Sequence, residues 1–333
     1  MSKVVAFVIN GIGDHLMALP AMRGLIRLFP ELTVVATEQA AQPVFGGLAC
    51  RRLIGVKARL NRGYHFDPGR LAREIGRCDL FISLVPWHSA EVSRLLRGLG
   101  SPRTVGFSDT YAVPVPWWPS AHTCDRVFRI VQWFRPQWRI ASFAAPLPAD
   151  DVSGQIADGF LRHAAGGRKV LAFHNETLLH KRWPKRLLHS ALVQFLARRS
   201  DFVALDLARV LVPMAGDDVP ADPRWLRLPG TGSLELAFAL VARSDLFLGA
   251  DSCMLHAADL QRVAGVGLFG PAPADPVGCR EMGFRFARHR HLHHAEGLAA
   301  VRPPSVVRSL LALAPSANQP PWHLAGIDPP VPA

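Results

Sequence analysis

The chain has 333 residues, 49% hydrophobic and 19% charged, which excludes a disordered chain and allows two domains of ordinary size. Its 38 Lys and Arg against 26 Asp and Glu give a net charge of +12. No run of about 18 uninterrupted apolar residues occurs, which excludes a membrane-spanning helix. Cys50, Cys78, Cys124, Cys253 and Cys279 are an odd number, widely spaced and without a Cys-x-x-Cys pair. That argues against a disulfide framework or a structural zinc site. The first strand-like run begins at residue 4, so no secretory signal is expected ahead of it, and a reducing cytoplasm is the expected compartment.

Residues 4–9 read as a buried strand. Residues 14–29 predict a helix with Leu16, Leu19, Met22, Leu25, Ile26 and Phe29 on one stripe, and Pro30 ends it. Residues 33–37 and 80–85 predict further strands, and 90–99 a helix. Strand and helix in alternation imply a parallel sheet covered on both faces. Between 145 and 168 the composition shifts. Pro146, Pro148, Asp150, Asp151 and then Gly166-Gly167 bracket one helix-like piece, the expected interdomain connection. The pattern then restarts, with strands at 170–173, 202–205, 246–248 and 266–269 and helices at 184–198, 234–242 and 254–260. The expected organisation is one open α/β domain over 1–150, a second over 151–315, and a Pro-rich, poorly ordered tail over 316–333. Two such domains place a cleft near the carboxyl ends of their strands.

Residues 1–150 carry 18 Lys and Arg against 10 Asp and Glu (+8), and residues 151–333 carry 20 against 16 (+4). Arg51, Arg52, Lys57, Arg59, Arg62, Arg70, Arg73 and Arg77 lie close together in the first half. Such a field attracts nucleic acid, anionic headgroups or a phosphorylated substrate, or is simply a solvated basic face. No nucleic-acid module signature is present.

Four constellations are candidates for chemistry. Asn10-Gly11-Ile12-Gly13-Asp14-His15 joins a strand to a helix. Its glycines permit a tight turn, and Asp14 sits where a helix N-terminus favours a carboxylate. The same residues fit an ordinary N-cap, and without a third glycine they are not a dinucleotide fingerprint. Thr177 to Pro184 places Lys181 and Arg182 before a helix start that already favours an anion, or it is a basic turn with Trp183 as a core anchor. Gly249-Ala250-Asp251-Ser252-Cys253-Met254-Leu255-His256 leaves a strand and opens a helix. Ser252 offers a hydroxyl and an N–H to a phosphate, while His256 either reaches the same anion or packs inside. Cys253 at a helix start lacks the oxyanion-hole or triad signature of a thiol hydrolase. The run His289-Arg290-His291-Leu292-His293-His294 invites a metal reading, but no Cys or carboxylate cluster completes it.

In order, these segments resemble glycosyltransferase family nine, the lipopolysaccharide heptosyltransferases, over most of residues 4–275. The resemblance rests on Gly13-Asp14 with Leu19-Pro20-Ala21 and Arg23-Gly24-Leu25, on the strand from Cys78 to Leu84, and on Arg103-Thr104-Val105-Gly106-Phe107. It continues in Lys181-Arg182-Trp183-Pro184, in Gly230-Thr231-Gly232-Ser233, in Asp251-Ser252 with His256, and in Leu268-Phe269-Gly270-Pro271. It implies a GT-B fold: two Rossmann-like domains facing a central cleft, the first for the acceptor and the second for the nucleotide sugar. It also implies inverting transfer with no catalytic metal and no cofactor. Asp14 falls on the general base and Lys181 on a diphosphate-binding position. Gly13, Thr177, Arg182, Asp251, Ser252, Cys253 and His256 fall on substrate-binding segments. The sequence departs from the pattern at Cys253, where Gly is usual, at Ala272, where Thr is usual, and at Asp206-Leu207-Ala208-Arg209, which replaces a Gly-rich loop near the ribose.

The expected activity is transfer of a sugar, heptose from ADP-heptose first, to an anionic glycolipid or polysaccharide such as a Kdo-bearing or phosphorylated lipid core. The enzyme would be cytoplasmic, with peripheral contact to the inner membrane through the basic residues of the first half, and with no nucleic-acid partner. The alternative is a non-catalytic protein of the same fold that binds sugar nucleotides or anionic glycans.

Overall fold

β1 (Val4–Val8) is buried at every position, as a parallel strand covered on both faces must be. The computed structural model describes residues 3–60, 63–100, 102–148, 150–208, 224–228, 232–270 and 277–324, in two compact units, Met1–Pro148 and Ala149–Ala333. In the first unit β1 is joined by β2 (Thr33–Thr37), β3 (Arg52–Val56), β4 (Leu80–Ser83), β5 (Arg103–Gly106) and β6 (Val113–Pro114). The sheet order is β3-β2-β1-β4-β5-β6 with every pair parallel. The helices are α1 (Ile12–Leu28), α2 (Pro68–Ile75), α3 (Ala90–Gly98) and α4 (Thr123–Phe134). A short antiparallel hairpin, Arg59–Leu60 with Tyr64–His65, follows β3. One core layer joins Phe7, Ile9, Phe81 and Leu95.

α1 and α4 meet closely at Gly24, where a Cβ would stand 2.8 Å from Val131 Cγ1. Arg23, next to it, donates to the carbonyls of Phe143, Ala145 and Pro146 and so fastens the last segment of the unit. Its burial lowers the guanidinium pKa to about 10.

The second unit repeats the design. β7 (Lys169–His174), β8 (Phe202–Asp206), β9 (Trp225–Leu226), β10 (Leu246–Ala250), β11 (Gly265–Phe269) and β12 (His289–His293) form a parallel sheet ordered β9-β8-β7-β10-β11-β12. Its helices are α5 (Asp151–Ala165), α6 (Lys185–Arg198), α7 (Leu234–Ala242), α8 (Cys253–Leu260) and α9 (Pro303–Leu313). Asp150 and Ser233 cap α5 and α7 with side-chain oxygens, each satisfying a first-turn N–H. Trp183 is fully buried and donates from Nε1 to Val301 O at 3.2 Å. Both sheets have the order of a doubly wound Rossmann sheet, so the expected α/β class and paired Rossmann-like construction are observed.

Two expectations change, and the histidine run takes a defined place. The segment after Pro315 is tied down as far as Leu324: Ala317 O accepts from Lys169 Nζ, and Trp322 N donates to Asp245 Oδ1 at 2.8 Å. The histidine run is an edge strand, β12, in which His289 and His291 stack at 4.4 Å and His291 Nε2 accepts from Phe284 N. α6 begins at Lys185 with Pro184 as its N-cap residue, one position later than expected. Of the residues singled out in the sequence, Arg62, Arg209, Gly230, Thr231, Pro271 and Ala272 lie outside the described ones, as do 325–333.

Packing at the glycines yields a paired test. Gly24→Leu forces a side chain against Val131 and is expected to destabilise the first unit by about 1–3 kcal/mol. Gly159→Ala in α5, where an added Cβ meets nothing within 4 Å, is expected to stabilise the second by about 0.5–1 kcal/mol. Urea-unfolding midpoints of the two variants should therefore move in opposite directions.

Candidate functional site

Strand order reverses between β1 and β4 in the first unit and between β7 and β10 in the second. Loops leaving the carboxyl ends of strands at such a point diverge and open a crevice. The sequence puts its polar motifs on these loops.

In the first unit, Gly11 is the N-cap residue of α1 and makes no side-chain cap. Asn10 is pinned to the end of β2: its N–H donates to Thr37 Oγ1 at 3.2 Å, and Thr37 Oγ1 donates to Asn10 O at 2.9 Å. Gly13 and Asp14 lie in the first turn of α1, half-buried. A Cβ at Gly11 would stand 3.2 Å from Asp14 Oδ2 and 3.6 Å from Tyr64 Oη, so the bare glycine backbone leaves the carboxylate approachable. Burial first, and the Asp14 charge second, raise the Tyr64 phenol pKa. Tyr64 stacks on Trp87, and in the hairpin that carries it Arg59 stands opposite His65.

His15 follows Asp14 in the same motif. It is fully buried. Its Nδ1 lies 2.7 Å from Gly11 O, and its Nε2 accepts from Thr37 N at 3.2 Å. An Nε2 that accepts a backbone N–H carries no proton, so Nδ1–H is the donor to Gly11 O. Burial pulls the ring pKa down to about 4 against the raising effect of the Gly11 bond. A neutral imidazole therefore clamps the Gly11 loop to β2.

In the second unit the loops after β7 and β10 meet. Lys181 Nζ lies 2.6 Å from Asp251 Oδ2, and Thr177 Oγ1 donates to Asp251 O at 3.0 Å. His256, buried on α8, has Nε2 4.0 Å from the other Asp251 oxygen. Arg182 donates from Nε to Thr177 O and pairs with Glu176 at 2.9 Å. Ser252 precedes α8 but does not cap it with its side chain. Its hydroxyl bonds His174 Nδ1 at 3.0 Å instead. Ser252 thus gives α8 no oxygen cap, and a helix start without one favours an anion. Burial pushes the Cys253 thiol up to about 11, so it stays protonated near neutrality and is no nucleophile.

Two further polar residues, not singled out in the sequence, frame these loops. His174, at the end of β7, is buried, and desolvation with a smaller push from Arg182 lowers its pKa to about 4. Asn175 brackets Trp183, accepting from Trp183 N at 3.0 Å and donating to Trp183 O at 2.7 Å. The available signal was a polar His-Asn-Glu-Thr run closing an apolar strand. Asp206, the first residue of the segment that departs from the family pattern, accepts from Ala208 N and closes the turn after β8. Among the described residues no group of three His, Cys, Asp or Glu is arranged to hold a metal ion.

No family profile and no curated relative matches the sequence. Solved structures do. A glycosyl transferase family 9 protein from Veillonella parvula superposes with a TM-score of 0.74 at 19% identity, over 94% of this chain and 97% of that one. The ADP-heptose LPS heptosyltransferase II of E. coli gives 0.70 at 16%, over 93% and 98%. An E. coli heptosyltransferase with ADP-2-deoxy-2-fluoro heptose gives 0.65 at 16%, over 94% and 100%. The chain shares their GT-B fold over more than nine-tenths of its length.

The two buried histidines predict a pH dependence. Each is neutral in the folded protein down to about pH 4, whereas an unfolded histidine takes up its proton near 6.5. The unfolded chain therefore binds more protons between these values, and stability falls as pH drops from about 6.5 to about 4, by up to about 3 kcal/mol per histidine. Urea unfolding at pH 7, 5.5 and 4 should show this slope, shallower in His15→Gln and in His174→Gln.

Proposed function

We propose that this protein is an inverting, metal-independent glycosyltransferase that moves a sugar from a nucleotide diphosphate donor, ADP-heptose first among candidates, to an anionic glycolipid or polysaccharide. The observation that carries this reading is the meeting of Lys181, Thr177 and the α8 start at the strand-order reversal of the second unit. The shared fold with solved heptosyltransferases supports it.

In this reading Asp14 takes the proton from an acceptor hydroxyl, whose oxygen attacks the anomeric carbon as the bond to the diphosphate breaks. Such a base must be ionised and within about 3 Å of the hydroxyl. Transfer thus requires the acceptor at Asp14 to reach a donor held by the second unit. Negative charge grows on the departing diphosphate, where Lys181 and the amides at Ser252 and Cys253 stabilise it. Asp251 has the wrong sign for a phosphate. It suits the hydroxyls of the donor sugar and holds Lys181 extended in the meantime. The acceptor side is cationic: Lys57, Arg59, Arg70 and Arg73 are exposed. Those residues suit a phosphorylated or Kdo-bearing acceptor and peripheral contact with the inner face of the inner membrane. Among the described residues no helix is long and apolar enough to cross a membrane.

With ADP-heptose and a Kdo-bearing acceptor, Asp14→Asn is expected to lower kcat by about 10²–10⁴ while leaving donor affinity unchanged. Lys181→Ala should instead weaken donor binding by about 10-fold or more, as loss of a charge-assisted contact does. Wild-type turnover undisturbed by Asp14→Asn would remove the base assignment. Tight donor binding without turnover on any acceptor would favour a sugar-nucleotide binding protein.

A further inference from the structure

A cavity of about 640 Å³ opens in the first unit at the amino ends of the strands. β1 is five residues long, so at about 3.3 Å per residue this cavity lies about 16 Å along the sheet from the Asp14 loop. It plays no part in the activity proposed above.

Its lining is mostly apolar. β1, β4, β5 and β6 contribute Val4, Leu80, Val105 and Val113, and the ends of α1 and α4 contribute Phe29, Trp133 and Phe134. Phe29 and Phe134 meet edge to face at 5.3 Å, while Trp133 remains 47% exposed. The polar lining groups are almost all engaged. Thr104 Oγ1 accepts from Ala112 N, Asp79 Oδ2 accepts from Lys3 N, and Glu31 pairs with Arg51 at 3.0 Å. Arg103 is the exception: it is exposed and makes no side-chain hydrogen bond or ion pair among the described residues. A polar ligand body would find few hydrogen-bonding partners here, whereas an apolar one buries surface and leaves a single cation to satisfy. The volume is within the range of about 300–1,000 Å³ that holds small ligands.

We propose that this cavity binds a single-chain anionic amphiphile, a fatty acyl carboxylate, with its tail against Phe29, Val105 and Trp133 and its carboxylate on Arg103. The Arg103 fork matches a carboxylate with two parallel hydrogen bonds. Glu31 is paired with Arg51 and the Asp79 carboxylate accepts from Lys3 N, which leaves Arg103 as the lining cation with its fork open to a ligand carboxylate.

Isothermal titration of the full chain with dodecanoate below its micellar concentration tests this. Saturable one-to-one binding is expected, weakened about 10-fold or more in Arg103→Ala. Ala112 is exposed and lines the cavity, so Ala112→Trp should fill it without disturbing the core and abolish binding. Dodecanol should bind more weakly than dodecanoate, and dodecyltrimethylammonium not at all. Absence of saturable binding, equal binding of the cationic amphiphile, or full affinity in both variants would overturn the proposal. So would binding confined to phosphatidylglycerol vesicles with none to monomeric dodecanoate, which would assign the face to a membrane surface.

Discussion

β7 and β10 run side by side with His174 opposite Gly249, and their loops leave in opposite directions. That register brings Lys181 to Asp251 and His174 to Ser252 across gaps of 70 and 78 residues in the chain. A slip of one residue would turn every side chain of β10 to the other face and bring a side chain to the place of Gly249, where a Cβ would stand 3.0 Å from His174 O. The cation, the carboxylate and the α8 start are one site because of this pairing. The first unit repeats the geometry at β1 and β4, where the Asp14 loop lies beside Tyr64 and Trp87.

Each candidate loop is tied down by a buried neutral histidine. His15 links Gly11 to β2, and His174 links Ser252 to β7. An imidazole offers a donor and an acceptor without a charge, so it ties backbone and hydroxyl groups together in a low dielectric at modest cost. A protonated ring at 174 would add positive charge beside Arg182. The formal charges on the two loops are those of Lys181, Asp251, Arg182 and Glu176. Lys181 and Asp251 hold each other at 2.6 Å and are both partly exposed.

The central strands were legible in the sequence because burial on both faces makes them continuous apolar runs, as in Val4–Val8, Lys169–His174 and Leu246–Ala250. Edge strands were not. Arg52–Val56 reads as part of a basic cluster and His289–His293 as a histidine tract, since a strand with one partner and a wet face carries little apolar signal. α4 and α9 were missed as well. α4 mixes Arg126 and Arg129 with its apolar stripe, and α9 opens on two prolines. The loose tail expected from Pro content is held to Leu324 by Asp245 and Lys169, because backbone groups of a Pro-rich segment bond readily to side chains from another element.

The order of residue types along the chain determined the α/β class, the two-unit construction and the placement of Asp14, Lys181 and Ser252 after strands. These depend on periodicity and on glycine, proline and capping chemistry, all of which act over a few residues. Tertiary structure alone decided that Asp251 holds Lys181, that Ser252 turns to His174 and not to its own helix, that His15 is a clamp, and that Arg103 stands beside an apolar cavity. Each is a contact between elements far apart in sequence. Such contacts follow from strand order and register, which no local pattern specifies.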